Sequence, residues 1–272
     1  MTSLFIPWFQ LGPWVLELPF AERPFVLYPF SAFVIGALVV GYVVALLFAK
    51  THGRSIPLTM SLAAYLVVFS FPISYLLNGL LYEPTRFFSL ITSPQDIPNA
   101  RLGWSMYGGI AGTLVGAWIW KWRKKAAILE IGESFAFGGP FGWTVARAGC
   151  FVTHDHPGKA TDFFLAVADF RAGSPPYVPR HDLGLYDMMV LGIISLTFLV
   201  LARRPRPTGF YVGLLPVLYA PCRFMLDFLR APLSDGGDIR YAGLTPAQYG
   251  SVLLLLAGMV VLRRVTKNET PD

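Results

Sequence analysis

Residues 25–49 read FVLYPFSAFVIGALVVGYVVALLFA, and no charged side chain interrupts them before Lys50 and Arg54. A helix needs about 20 predominantly apolar residues to cross a bilayer, so this stretch is long enough to span. Six further apolar runs follow at 58–82, 103–120, 128–151, 183–202, 209–229 and 246–262. The second holds Pro72, Asn78 and Gly79, which predict a kink toward its end. The fourth is the least apolar, because it contains Glu130, Glu133 and Arg147. The expected fold is an all-α polytopic membrane protein: a single membrane domain over residues 1–272 with seven transmembrane helices. One longer segment, 152–182, is expected as an outer loop, and its length favours a functional role.

Composition supports the same reading. Hydrophobic residues make up 54% of the chain and charged residues 14%, against about 25% charged in soluble domains. That argues against a cytosolic enzyme and against disorder. Two cysteines are too few for a disulfide-built scaffold. The formal charge of +6 is explained mainly by topology, not by a nucleic-acid partner. Lys50 and Arg54, then Lys121, Arg123, Lys124 and Lys125, then Arg203, Arg204 and Arg206, then Arg263, Arg264 and Lys267 fall in short segments on one side. Arg23, Arg86, Arg101, Lys159, Arg171, Arg180 and Arg240 are spread over longer loops on the other. Basic residues favour cytoplasmic loops, so the N-terminus is expected outside and the C-terminus in the cytoplasm. The start, Met1-Thr2-Ser3-Leu4-Phe5, lacks a positive n-region, so no cleavable signal peptide is expected.

Charges inside spans are costly and normally face a partner or a wet cavity. Tyr219, Arg223, Asp227 and Arg230 step by three or four residues and share one helix face. Arg147, in the fourth run, falls at a depth similar to Arg223 on the topology above. With only Asp227 nearby in sequence, the two arginines leave positive charge to be matched, and a lipid phosphate would match it bidentately. The simpler alternative is an intrahelical Arg223–Asp227 pair with Arg147 snorkelling to the interface. Arg230 sits at a span end, where a structural role suffices. Gly108, Gly112 and Gly116 form small-xxx-small patterns for close helix packing. Ser105, Tyr107 and the Gly108-Gly109 pair lie level with the arginines, where glycine could equally leave room for lipid. His154-Asp155-His156 and His181-Asp182 put three of the four histidines on the outer side, as a weak candidate for zinc or for a base. Cys150 and Cys222 each lie near one of the arginines and are expected as buried free thiols.

These residues resemble the prolipoprotein diacylglyceryl transferases of bacterial inner membranes. Glu133, Pro140-Phe141-Gly142, Arg147, Gly149 and Phe151 follow the family signature, with Ala146 where its first glycine stands. Gly103, Ser105, Gly108 and Gly109 fit the third-span motif, and Arg180-His181 with Leu185-Tyr186-Asp187 resembles an Arg-His…Leu-Tyr-Glu segment. Tyr219, Arg223, Asp227 and Arg230, then Thr245 and Gln248, complete the pattern. The resemblance implies transfer of the diacylglyceryl group of phosphatidylglycerol to the lipobox cysteine of a prolipoprotein, releasing glycerol phosphate. It implies Arg147 and Arg223 on the phosphate, with Tyr107 and His181 completing the catalytic set. Ser105, Gly108, Gly109, Gly149, Cys150, Tyr219, Asp227 and Arg230 would line the substrate site. No metal or organic cofactor is required. The implied partners are phosphatidylglycerol and prolipoprotein signal peptides, met by a membrane-embedded monomer whose site faces the outer leaflet.

The chain departs from the family pattern in several places. Tyr107 stands where many members carry histidine, and an ordinary tyrosine, with a pKa of ~10, is a poor base at neutral pH. Pro72 precedes Tyr75 where an arginine is common, Leu183-Gly184 replaces a Ser-Gln pair, and Cys150 takes a place often held by asparagine. A lipid-binding or transport protein using the same arginine pair without chemistry is the alternative. Transport would call for polar groups along a path through the membrane, and the inner halves of the spans are mostly apolar.

Overall fold

Small residues decide which helices can approach one another here. The computed structural model describes residues 6, 7, 9, 11–16, 25–92, 103–169 and 178–267. Arg23, Arg101, Arg171 and the opening residues 1–5 lie outside the described residues. The helices are α1 (Pro29–Thr51), α2 (Ile56–Tyr82), α3 (Pro84–Thr92), α4 (Met106–Lys124), α5 (Ile128–Thr153), α6 (Leu183–Leu201), α7 (Phe210–Leu226) and α8 (Pro246–Lys267). A 3-10 turn, Asp227–Leu229, prolongs α7.

Local chemistry sets the ends. Tyr28 precedes a proline and stays extended, so α1 starts at Pro29 instead of at residue 25. Ser105 caps α4, its hydroxyl accepting from the Gly108 amide at 3.1 Å, and delays that helix to Met106. Lys121, Arg123 and Lys124 carry α4 beyond residue 120, where cations suit a helix C-terminus. Asp182 caps α6 through the Leu185 amide at 3.0 Å. Thr245 and Gln248 form a reciprocal capping box at the start of α8: Gln248 Oε1 accepts from the Thr245 amide at 3.0 Å, and Thr245 Oγ1 from the Gln248 amide at 3.2 Å.

Among the described residues, five helices are long and apolar enough to cross a membrane: α1, α2, α6, α7 with its 3-10 turn, and α8. The other two long helices, α4 with 19 residues and α5 with 26, match them in length but are less apolar. Glycine lets these two pack deep against the rest. A Cβ at Gly142 of α5 would meet the Ala37 carbonyl oxygen of α1 at 2.5 Å, and one at Gly112 of α4 would meet that of Phe69 of α2 at 2.5 Å. An aromatic core of Phe48, Phe137, Phe198, Tyr211 and Tyr219 joins α1, α5, α6 and α7. Leu38, Val39 and Leu47 of α1 and Leu253 and Leu256 of α8 remain exposed, as lipid-facing positions would.

Two small sheets modify the all-α expectation. β1 (Trp14–Leu16) pairs antiparallel with β2 (Phe25–Leu27). In the 152–182 segment, expected as a loop, β3 (Pro157–Ala160), β5 (Val178–Asp182) and β4 (Val167–Asp169) form an antiparallel sheet in that order. The sheet is tied to the end of α7 through Gly158 and Arg230, and to the N-terminal segment through Ile6 and Val167. Pairing satisfies backbone groups that an irregular loop at this position would leave open.

Candidate active site

Antiparallel connections bring the C-terminal ends of α2, α5 and α7 together with the N-terminal ends of α4, α6 and α8. Arg147 rides on the last turns of α5 and Arg223 on the last turn of α7, and both are buried. Asp187 stands between them on α6. Its Oδ2 lies 2.9 Å from Arg147 Nε and 3.9 Å from Arg223 Nε, and accepts the Tyr219 hydroxyl at 3.3 Å. The Arg147 Nη2 and the Tyr219 hydroxyl both reach the Met106 sulfur at 3.2 Å. Trp143 stacks on the Tyr219 ring with centroids 5.5 Å apart.

Asp227 is the carboxylate close to these arginines in sequence, but it is not the one that lies between them. Asp187 supplies a second anion, and nearness in sequence could not reveal a group on a different helix. Arg147 does not snorkel: it is 8% exposed and ion-paired. The pairing is still incomplete. Among the described residues, Asp187 Oδ1 and Arg223 Nε are buried without a hydrogen-bond partner, an arrangement that costs free energy unless a further polar group is met there.

Asp227 organises the far side of the site. Its Oδ1 accepts Arg223 Nη1 at 2.6 Å and Arg230 Nε at 3.0 Å, while its Oδ2 meets the Thr245 hydroxyl. Arg230 also pairs with Asp238 at 3.2 Å. Arg230 thus holds the loop beyond α7 in place, as a span-end residue would. Thr245 fastens Asp227 to the start of α8, and Gln248 braces it by bonding Thr245 and donating to the Phe224 carbonyl at 3.3 Å.

Several predicted site residues have other work. The Tyr107 hydroxyl is 2.5 Å from Ser251 Oγ and its ring packs against Gly250, so it is committed to α8. Gly108 approaches Ser74 and Gly149 approaches Phe33, both as helix contacts, whereas a Cβ at Gly109 would meet nothing within 4 Å. Cys150 Sγ accepts from Arg147 Nη1 at 3.6 Å. His181 Nδ1 is 2.8 Å from the Tyr186 hydroxyl, outside the arginine cluster, and burial pushes its pKa below the ordinary histidine value. It lines an apolar groove of about 460 Å³ with Phe163, Leu165, Tyr186 and Met189. Cys150 is buried as expected, but Cys222 is exposed. Among the described residues His154, His156 and His181 do not form one ligand group: both ring nitrogens of His154 face acceptors, Asp182 Oδ2 at 2.7 Å and the Phe9 carbonyl at 3.0 Å. Glu133, though in the signature, lies on the opposite end of α5, where it pairs with Arg54 at 2.6 Å and accepts the Tyr211 amide at the start of α7.

A model of the prolipoprotein diacylglyceryl transferase family matches residues 19–264. The chain belongs to that family. Among its relatives are phosphatidylglycerol–prolipoprotein diacylglyceryl transferases of Chromohalobacter salexigens, 33% identical over 162 residues, and of Azotobacter vinelandii, 33% identical over 170 residues. A third, from Janthinobacterium sp., is 31% identical over 187 residues. These matches cover 58%, 62% and 67% of this chain and 59%, 63% and 68% of the relatives, in the same order. In this family member both arginines lie in one buried cluster and the Tyr107 hydroxyl is turned to Ser251.

Proposed function

We propose that this chain transfers the diacylglyceryl group of phosphatidylglycerol to the cysteine thiol of a prolipoprotein signal peptide and releases glycerol phosphate. The observation that carries the reading is the buried Arg147–Asp187–Arg223 cluster, in which Arg223 Nε and Asp187 Oδ1 have no hydrogen bond among the described residues. A phosphodiester entering between the guanidiniums would take over from Asp187, and their planar donors suit its oxygens. In the reaction a C–S bond forms at the glyceryl carbon as its C–O bond breaks. The phosphate departs with the electron pair, and the thiol proton is lost to a base or to solvent. The negative charge growing on the phosphate is stabilised where the two arginines are already fixed in a dry site. Tyr219, held by Trp143, and Ser105, capping α4, would position the headgroup, and Asp227 with Arg230 would keep Arg223 aimed.

The same reading puts all seven long helices across the bacterial inner membrane, with the N-terminus outside, the C-terminus in the cytoplasm and the cluster level with the outer leaflet. Its support is that Lys50, Arg54, Lys121–Lys125 and Arg203–Arg206 occupy connections at the helix ends opposite the cluster. The protein acts as a monomer in this proposal. The test is to incubate the purified protein with phosphatidylglycerol vesicles and a lipobox peptide and to weigh the peptide by mass spectrometry. A diacylglyceryl adduct on cysteine, absent with a Cys→Ser peptide, is the expected result. Its absence with folded, lipid-bound protein would overturn the transferase in favour of a lipid-binding role.

A further inference from the structure

We propose that Cys150, Asp155 and His156 form a zinc site at the outer end of α5, one hydrogen bond away from Arg147. The Cys150 sulfur, a carboxylate oxygen of Asp155 and a ring nitrogen of His156 all lie within 4.8 Å of one another. His154 makes the grouping possible. It adopts a left-handed conformation with φ 49°, and its ring is fixed by Asp182 and Phe9, so the chain folds back and sets the next two residues over the final turn of α5. His154 is thereby used as an anchor, and the third ligand comes from within the helix.

The chemistry of the set suits zinc. Thiolate, imidazole and carboxylate are its three common protein ligands, with bond lengths of about 2.0–2.3 Å. A tetrahedral site with these bonds separates its ligand atoms by roughly 3.3–3.8 Å, which shifts of about 1 Å would reach from the present spacing. His156 and Asp155 are already 3.1 Å apart. A thiolate and a carboxylate balance the charge of the ion, and the C-terminal carbonyls of α5 add partial negative charge. Arg147 donates to Cys150 Sγ and so orients that ligand from outside. The side chains of Asp155 and His156 are 38% and 30% exposed, which leaves an aqueous route for the ion.

Three protein ligands leave a fourth position open, the pattern of a zinc site that binds a reactant. The acceptor thiol would fill it as thiolate, releasing its proton to solvent, and would then be held beside the phosphate-binding Arg147 as the nucleophile. This thiol step rests on the transferase reading; the metal site itself does not. It also supplies the thiol activation that Tyr107, bound to Ser251, cannot.

The test is equilibrium dialysis of the chelator-stripped, detergent-purified protein against Zn²⁺, followed by metal analysis, and in parallel against Co²⁺, followed by absorption spectroscopy. One ion per chain and a thiolate-to-cobalt charge-transfer band are expected. Binding should weaken at least about 100-fold in Cys150→Ser and in His156→Ala, since loss of an outer partner alone costs 10–100-fold. Cys222→Ser should leave stoichiometry and band unchanged, and circular dichroism would establish that each variant is folded. No stoichiometric binding by the wild type, or binding that survives Cys150→Ser, overturns the site. A cysteine lipobox peptide should intensify the cobalt band where a serine peptide does not. An unchanged band overturns the thiol step while the metal count stands. Failure of the zinc-loaded wild type to make any lipid adduct counts against the transferase reading alone.

Discussion

Arg147 Nε and Asp187 Oδ2 meet at 2.9 Å inside the helical bundle, so the guanidinium best placed for a lipid phosphate is already held by a carboxylate of the protein. The pair lets a buried cation exist without ligand. On the proposed function, substrate entry would be an exchange of anions, with lipid binding and the release of Asp187 as one event.

Removing either arginine should abolish transfer. Arg147→Ala and Arg223→Ala are each expected to lower the rate of adduct formation at least about 100-fold, as loss of a donor to a developing anion does elsewhere. Arg147→Lys should recover little, because an ammonium lacks the planar fork. Initial rates of peptide lipidation at saturating phosphatidylglycerol check this.

Arg147→Ala should also destabilise the fold by about 3–5 kcal/mol, since it strands the buried Asp187 charge. The double variant Arg147→Met/Asp187→Leu should regain most of that loss while staying inactive. Thermal unfolding in detergent separates the two effects. Equal loss in single and double variants would refute a charge-pair origin.

Asp187→Asn keeps the shape of the side chain and removes the anion that competes with phosphate. It is expected to tighten phosphatidylglycerol binding by about tenfold, or roughly 1.4 kcal/mol. Vesicle co-sedimentation or native mass spectrometry would measure it, and weaker binding would contradict the exchange of anions.

Tyr107→Phe should leave transfer within about threefold of wild type and cost about 1 kcal/mol of stability through the lost bond to Ser251. A loss of transfer greater than 100-fold would instead restore tyrosine as the base. The comparison directly tests the expectation that a base is needed at position 107.

Glycines at helix contacts should be intolerant. Gly112→Ala meets the Phe69 backbone at 2.5 Å and is expected to cost about 1–3 kcal/mol, whereas Gly109→Ala, with nothing within 4 Å, should be neutral. Melting temperatures in one detergent suffice for the comparison.

His181 gives a pH dependence. Burial lowers its folded pKa below the ordinary value of ~6.5, so the unfolded chain takes up the proton first as pH falls. Its contribution is complete above about pH 6.5 and is lost as pH drops through the folded pKa. The melting temperature should fall more steeply across that window in wild type than in His181→Gln.

The sequence by itself determined the long helices and their pairing glycines, because burial of apolar stretches and the absence of a Cβ are properties of the chain read one residue at a time. The face shared by Tyr219, Arg223, Asp227 and Arg230 was equally legible, since three- and four-residue steps fix it within a single helix. What tertiary structure alone decided were the relations between helices. Asp187 became the partner of both arginines, Tyr107 turned to Ser251, and Cys150 came beside Asp155 and His156. The sheet of β3, β5 and β4 and the Glu133–Arg54 pair at the other end of α5 belong with them. The physical reason is common to all: ion pairs and ligand sets depend on distances of a few ångströms between side chains on different elements. Those distances follow from how helices pack, which the order of residues along any one helix does not contain.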